Sequence, residues 1–461
     1  MPSKLASFTQ LERMRNYYES GATRPFAYRK HQLQLLRGAI LKYEDEINDA
    51  LYSDLKKSPE ETYATETGLL LAEIKLTIKN LHRWMKPERV KTNLLNFPSS
   101  SKILHDPRGV VLIISPWNYP LQLLLLPLVG AIAAGNCVVL KPSEMAPATA
   151  NVIKKIITEI FPADYIKVCL GEGSELIPAM IESFHFDYIF YTGSTAVGKS
   201  IYQMAANDLI PVTLELGGKS PAIVESDANL TIAAKRIVIG KFINAGQTCV
   251  APDYLLIHED VFEKFIAQLK ETIRRFFGDD TKESYDYGRI INEKRFDTLV
   301  SYLAEGDIIS GGTHDRASLF IEPTILENIS SDASIMKEEI FGPILPVISF
   351  KTMEEALSII KRNENPLAFY LFTSEIKKEK SWLDKVAFGG GCVNNTLYHL
   401  SNPHLPFGGI GNSGIGAYHG RYSFEVFTHA RPVMKTPAWF DPAMKYPPLK
   451  GKLKWIKFFF K

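Results

Sequence analysis

Cysteine is scarce in this chain: its 461 residues contain four, at positions 137, 169, 249 and 392. None forms a CxxC pair, which excludes a zinc ribbon and a disulfide framework and fits a reducing compartment. An excess of one sign of charge is also missing. With 53 basic and 51 acidic residues, nothing global recruits nucleic acid or an acidic partner. Long apolar runs are absent as well. The most apolar stretch, 110–140, is broken by Pro116, Asn118, Pro120, Gln122, Pro127 and Asn136, whereas a membrane span needs roughly 20 mostly apolar residues. The first 21 residues lack the apolar centre of a signal peptide and read as an amphipathic helix. What remains, 46% hydrophobic and 23% charged, is the composition of an ordinary globular protein long enough for two or three domains.

The pattern along the chain is alternating. Residues 1–85 read as helical, with amphipathic stretches at Phe26–Leu51 and Thr67–Trp84. From residue 110, apolar strands (110–115, 137–141, 166–171, 188–193, 212–218) alternate with helices (120–135, 147–160, and one from Thr195). Strands that are apolar throughout and separated by helices predict a parallel sheet covered on both faces. A second alternating region runs from 221–225 to about residue 400, with helices expected at 229–243, 260–277 and 352–362. The two units divide near Gly217–Gly218, and no repeat or low-complexity linker separates them.

One strict GxGxxG match exists, Gly409 to Gly414 in "PFGGIGNSGIG". A dinucleotide fingerprint needs a preceding strand and a following βαβ unit. Here a proline-containing loop precedes it, so a glycine-rich surface loop is the expectation. "YTGSTAVGKS" (191–200) is the better phosphate candidate: a strand ends at Thr192, Gly193 permits a turn, and Ser194 or Thr195 can cap a helix whose free N–H groups suit an anion. At the end of another strand, "LKPSE" places Lys141 to donate and Glu144 to accept hydrogen bonds from a ribose. Taken singly, each has a plain alternative: a capped helix, or a solvated lysine at a strand end.

The same holds for three polar residues in apolar company. Cys249, in "NAGQTCVAPDY", is either a small buried residue or a nucleophile. Asn118, in "IISPWNYP", is either a turn residue bonded to local backbone or a donor to a developing charge. Glu215, between Leu214 and Leu216, is either paired with a lysine such as Lys219 or a base whose pKa burial raises.

Together, "PWNYP" (116–120), "AIAAGNCVVLKPSE" (131–144), "YTGST" (191–195), "LELGGKSP" (214–221), "NAGQTC" (244–249), "EEIFGP" (338–343) and "PFGG" (406–409) stand in the order found in aldehyde dehydrogenases. The chain resembles that family from about residue 20 to 430, most closely its short, dimeric branch acting on fatty and aromatic aldehydes. The resemblance implies an α/β fold of two Rossmann-type parallel-sheet domains plus a small oligomerisation element. The expected division is 1–85 and 103–216 for NAD(P) binding, 217–400 for catalysis, and 86–102 with 401–461 for bridging segments and tail.

The resemblance also implies roles. Cys249 matches the catalytic thiol, Glu215 the general base and Asn118 the oxyanion donor. Lys141 and Glu144 match contacts to the adenine ribose, Ser194 the pyrophosphate contact, Glu339 the nicotinamide-ribose ligand, and Phe341 a ring beside the nicotinamide. Trp117, Gly193, Gly198 and Leu216 fall against the cofactor, and "PFGG" on the substrate rim. No metal is implied, since His399 and His404 lack a third ligand at metal spacing. Cys137 and Cys169 read as core and Cys392 as core or cavity wall. The expected reaction is oxidation of a medium- to long-chain or aromatic aldehyde to its acid, by a homodimer in the cytoplasm. NAD is the first choice, since Glu144 opposes a 2′-phosphate, with NADP as the alternative. CoA acylation through the same thioester is a second reading, disfavoured by the presence of Glu215; a non-catalytic binding protein is a third. The tail, "GKLKWIKFFFK", sets Leu453, Ile456 and Phe460 on one helical face and Lys454, Lys457 and Lys461 on another. That pattern suits either a dimer contact or a reversible contact with an anionic membrane.

Overall fold

The structure is a computed structural model that describes residues 2–460. A six-stranded sheet has the spatial order Gly414–Ile415, Val212–Glu215, Tyr188–Thr192, Val110–Ile114, Cys137–Lys141, Ile166–Val168. Its three central strands, 110–114, 137–141 and 188–192, are buried along their whole length because helices cover both faces. Helix Gln122–Ala134 is buried all round. It stops where Gly135, at φ +92°, turns into the left-handed region, and a Cβ there would meet the Arg29 guanidinium. Val110–Ile114 pairs in parallel with Cys137–Lys141 on one side and Tyr188–Thr192 on the other. Strand order therefore reverses there, and the crevice outside those carboxyl ends is where such sheets take a ligand.

The second sheet has seven strands, ordered Asp307–Ser310, Thr324–Glu327, Ile344–Phe350, Tyr254–His258, Pro221–Val224, Ala368–Phe372, Gly390–Val393. Each large sheet ends on one antiparallel edge strand, 307–310 in the second and 414–415 in the first. Both are therefore mixed rather than wholly parallel. A third, three-stranded antiparallel sheet joins Glu88–Val90, Ser100–Pro107 and Thr428–Lys435. Glu88–Val90 and Thr428–Lys435 are its two edges, and the latter is mostly exposed.

Several expectations change in detail. The stretch 26–51 forms two helices, Phe26–Lys42 and Glu44–Leu55, because Tyr43 leaves the helical region at φ −101°, ψ 18°. Strand 166–171 shortens to Ile166–Val168, so Cys169 lies beyond it and is half-buried rather than core. Gly171, at φ +143°, turns the chain outward there. The helix ending at Trp84 is preceded by a π-helical turn, Tyr63–Thr67. No helix among the described residues is long and apolar enough to cross a membrane.

Candidate active site

The crevice between the two reversing strands opens between Ser115–Trp117 and Thr192–Ser194. Ser194 caps helix Thr195–Asn207, its Oγ accepting from Val197 N, so the next free N–H groups of that helix face the crevice. Gly198, in the first turn, packs closely under the end of the next strand: a Cβ would lie 2.5 Å from Leu216 Cδ2. At the neighbouring strand end the Lys141 ammonium, 2% exposed, donates to Glu144 at 2.9 Å and to Pro142 O at 2.8 Å. Gly173 N donates to the other Glu144 oxygen at 3.1 Å. Burial opposes ionisation of Glu144, but the lysine and the backbone donors outweigh it and hold its pKa below the ordinary range.

Cys249 sits on the loop between helix Leu230–Phe242 and strand Tyr254–His258. That loop is tightly wound. Asn244 and Ala245 adopt left-handed φ of 53° and 51°, and at Gly246 a Cβ would meet Gly342 O at 2.3 Å. The thiol opens into a cavity of about 180 Å³ shared with Glu215, Thr248, Tyr119 and Thr192. Its outer wall is apolar, supplied by Leu69, Leu123, Ile239, Ile243, Leu397 and Phe407. Burial, with Glu339 and Glu215 nearby, pushes the Cys249 thiol up to about 12. Glu215 ends its strand with both carboxyl oxygens buried and without a hydrogen-bond partner. Burial alone raises its pKa well above the ordinary range. Lys219 does not pair with it; that ammonium is committed to Asp253 and to Glu338 O.

Asn118 is tied to the thiol loop. Its Nδ2 donates to Gln247 O at 2.9 Å, and its own carbonyl accepts from Asn244 Nδ2 at 2.8 Å and from Lys57 Nζ at 2.9 Å. Gln247 in turn bridges Asn244 O, Arg289 O and Ile291 N. The amide thus retains a second N–H for a further acceptor, two residues from Cys249 through its bond to Gln247, while its Oδ1 is buried without a partner.

Glu339 and Phe341 belong to a shelf pinned by Asp253, which takes Ile340 N at 3.0 Å as well as Lys219. Arg295 donates to Glu339 O and Ile340 O. Burial and the Asp253 charge raise the Glu339 carboxyl to about 8. Its oxygen lies where a Cβ on Gly217 would collide, 1.9 Å away, so only glycine permits this approach. Phe341, at a left-handed φ of 48°, meets the half-buried Trp117 edge to face at 5.3 Å. Trp117, Phe341, the glycine-lined crevice and the Lys141–Glu144 cluster are the groups that would hold a dinucleotide, which would supply a hydride acceptor.

The structure therefore brings Cys249, Glu215, Asn118 and Glu339 together, and sets Lys141, Glu144, Gly193, Ser194 and Gly198 along the crevice of the six-stranded sheet. It corrects the glycine-rich segment. Gly414–Ile415 is not a surface loop but an edge strand, with Gly414 opposite Glu215 and Leu216 N bonded to Ser413 O. Phe407, before it, does line the cavity. Cys392 lies half-buried with its sulfur 3.6 Å from His399 Nδ1. Among the described residues no cluster of three metal-ligating side chains exists. Sequence reasoning missed Lys57, Glu66, Asn244, Gln247 and Asp253, whose roles lie in long-range bonds that spacing does not reveal.

The family model described as the aldehyde dehydrogenase family matches residues 10–433. A 4,4′-diaponeurosporen-aldehyde dehydrogenase of Staphylococcus aureus is 48% identical over 96% of this chain and 97% of the relative. The dimeric NADP-preferring aldehyde dehydrogenase of Canis lupus familiaris is 42% identical over 98% and 99%. The solved substrate-bound state of Staphylococcus aureus AldH superposes with a TM-score of 0.96 at 47% identity, covering 98% of this chain and 99% of that one.

Proposed function

The chain belongs to the aldehyde dehydrogenase family and oxidises aldehydes to carboxylic acids with NAD(P)+; from that premise we propose that Cys249, Glu215 and Asn118 carry the chemistry. When bound, the cofactor supplies a hydride acceptor and a positive charge. Cys249 releases its thiol proton to solvent, and the thiolate adds to the aldehyde carbon. The resulting oxyanion accepts hydrogen bonds from the free Asn118 N–H and from the Cys249 backbone N–H. As the oxyanion collapses, hydride leaves carbon and a thioester to Cys249 remains. Glu215 takes a proton from water, the water oxygen attacks the thioester, and the acid departs as the thiol re-forms.

One observation carries this reading. Glu215 is a buried carboxyl with no partner, in the same cavity as the thiol, and a structural carboxylate would be paired. The test is rapid mixing of Glu215→Gln with NAD+ and aldehyde. A first-turnover burst of NADH followed by a stalled steady state supports the role; undiminished steady-state hydrolysis removes it.

The apolar wall supports medium- to long-chain or aromatic aldehydes as substrates. Glu144, held ionised by Lys141, would repel a 2′-phosphate, so NAD+ is the first choice. A higher kcat/KM for NADP+ than for NAD+ overturns that choice. Homodimerisation is supported by the exposed edge strand Thr428–Lys435 and by the dimeric relative. A contact with an anionic membrane is supported at the tail. There Trp455 and Phe458 of helix Leu453–Phe459 are 59% exposed, and the lysines at 445, 450, 452, 454 and 457 face only one acid, Asp441, in residues 436–460. Deleting residues 451–461 should abolish pelleting with phosphatidylserine vesicles and leave the dimer mass unchanged. Equal pelleting with and without the tail ends the membrane reading.

A further inference from the structure

A second buried charged group lies beside the site. Lys57 and Glu66 are both fully buried and paired at 2.7 Å. Replacing such a pair by apolar side chains is often stabilising, so its presence calls for a reason other than stability. Its remaining bonds all go to one turn. Lys57 Nζ donates to Asn118 O at 2.9 Å, while the second Glu66 oxygen accepts from Leu121 N at 2.9 Å and Gln122 N at 3.2 Å. The pair therefore grips the turn after strand Val110–Ile114 at both ends.

The helix that delivers Glu66 departs from α geometry to do so. Tyr63–Thr67 is a π-helical turn, a rare form that concentrates at functional sites. Gly68 closes it, and a Cβ there would lie 2.6 Å from Tyr63 O. Two residues of the turn, Ala64 and Thr65, face the substrate cavity. The Lys57 ammonium also stands 4.0 Å over the Tyr119 ring, whose hydroxyl bonds Thr248 at 2.6 Å, one residue before the thiol.

We propose that the Lys57–Glu66 pair is a positioning device that fixes the Asn118 turn, and with it the direction of the free Asn118 N–H. This rests on the reading of Asn118 as oxyanion donor. Both residues act through Asn118, and neither touches substrate.

The experiment is a double-mutant cycle read by single-turnover NADH formation, with NAD+ affinity and thermal unfolding measured on the same proteins. Lys57→Met/Glu66→Leu should fold and bind NAD+ as before, yet form NADH roughly tenfold or more slowly. In an Asn118→Ala background the same replacement should add less than about twofold. A loss that multiplies in full on top of Asn118→Ala, or no loss in the parent, overturns the proposal. If Asn118→Ala alone leaves the rate unchanged, the oxyanion reading itself fails, a separate outcome. Should the double replacement not fold, Glu66→Gln, which keeps shape and one acceptor oxygen, goes through the same cycle.

Discussion

Two carboxyl groups flank the thiol loop, and they are equally hidden: Glu215 is 2% exposed and Asp253 3%. Their surroundings are opposite. Asp253 holds Lys219 on one oxygen and Ile340 N on the other, and through them fixes the shelf carrying Glu339 and Phe341. Glu215 holds nothing. Burial of a charge is tolerated where partners repay the lost hydration; where none is provided, the group is destabilised and free to react. The paired carboxylate keeps geometry, and the unpaired one meets the reactant.

That contrast can be broken in three steps of decreasing effect. The largest is turnover: Glu215→Gln should lower steady-state hydrolysis roughly 10³-fold. Next is stability. Asp253→Asn strands the Lys219 ammonium and should cost about 3 kcal/mol, read by urea unfolding; an unchanged midpoint would mean that Asp253 is not the anchor. Smallest is a gain from the opposite change. The Glu215 carboxyl ionises near 4.5 in the unfolded chain and well above that in the folded one. Wild-type stability therefore falls as pH rises from 4.5 through the folded value, a loss Glu215→Gln does not share. The variant should gain on wild type in unfolding free energy as pH rises above 4.5, the gap widening until the folded-state carboxyl ionises. A constant gap across that range would show that Glu215 has a partner.

Much of this was legible in the chain. The apolar strands ending in Lys141, Thr192 and Glu215 announced one sheet and its ligand edge, because a strand buried on both faces leaves a continuous apolar run. The polar residues inside such runs, Asn118 and Glu215, stood out for the same reason. Other features had no local signal. Lys57, in "LKKSPE", looks like any solvated lysine, and its partner depends on a π turn that no residue pattern marks. The Lys219 partner lies 34 residues on. Gly414–Ile415 reads as a loop since a two-residue strand has no periodicity; only its pairing with residues 214–215 defines it.

That short pairing bears on how the enzyme is made. The ribosome delivers Glu215 long before Ser413 and Gly414, so a nascent chain carries the thiol and the base while the edge beside the base still lacks its last strand. Until residues 413–415 are made, that sheet margin has no strand beside it. The strand that carries the reactive carboxyl gains its neighbour on that side only when the segment around Gly414 folds back upon it.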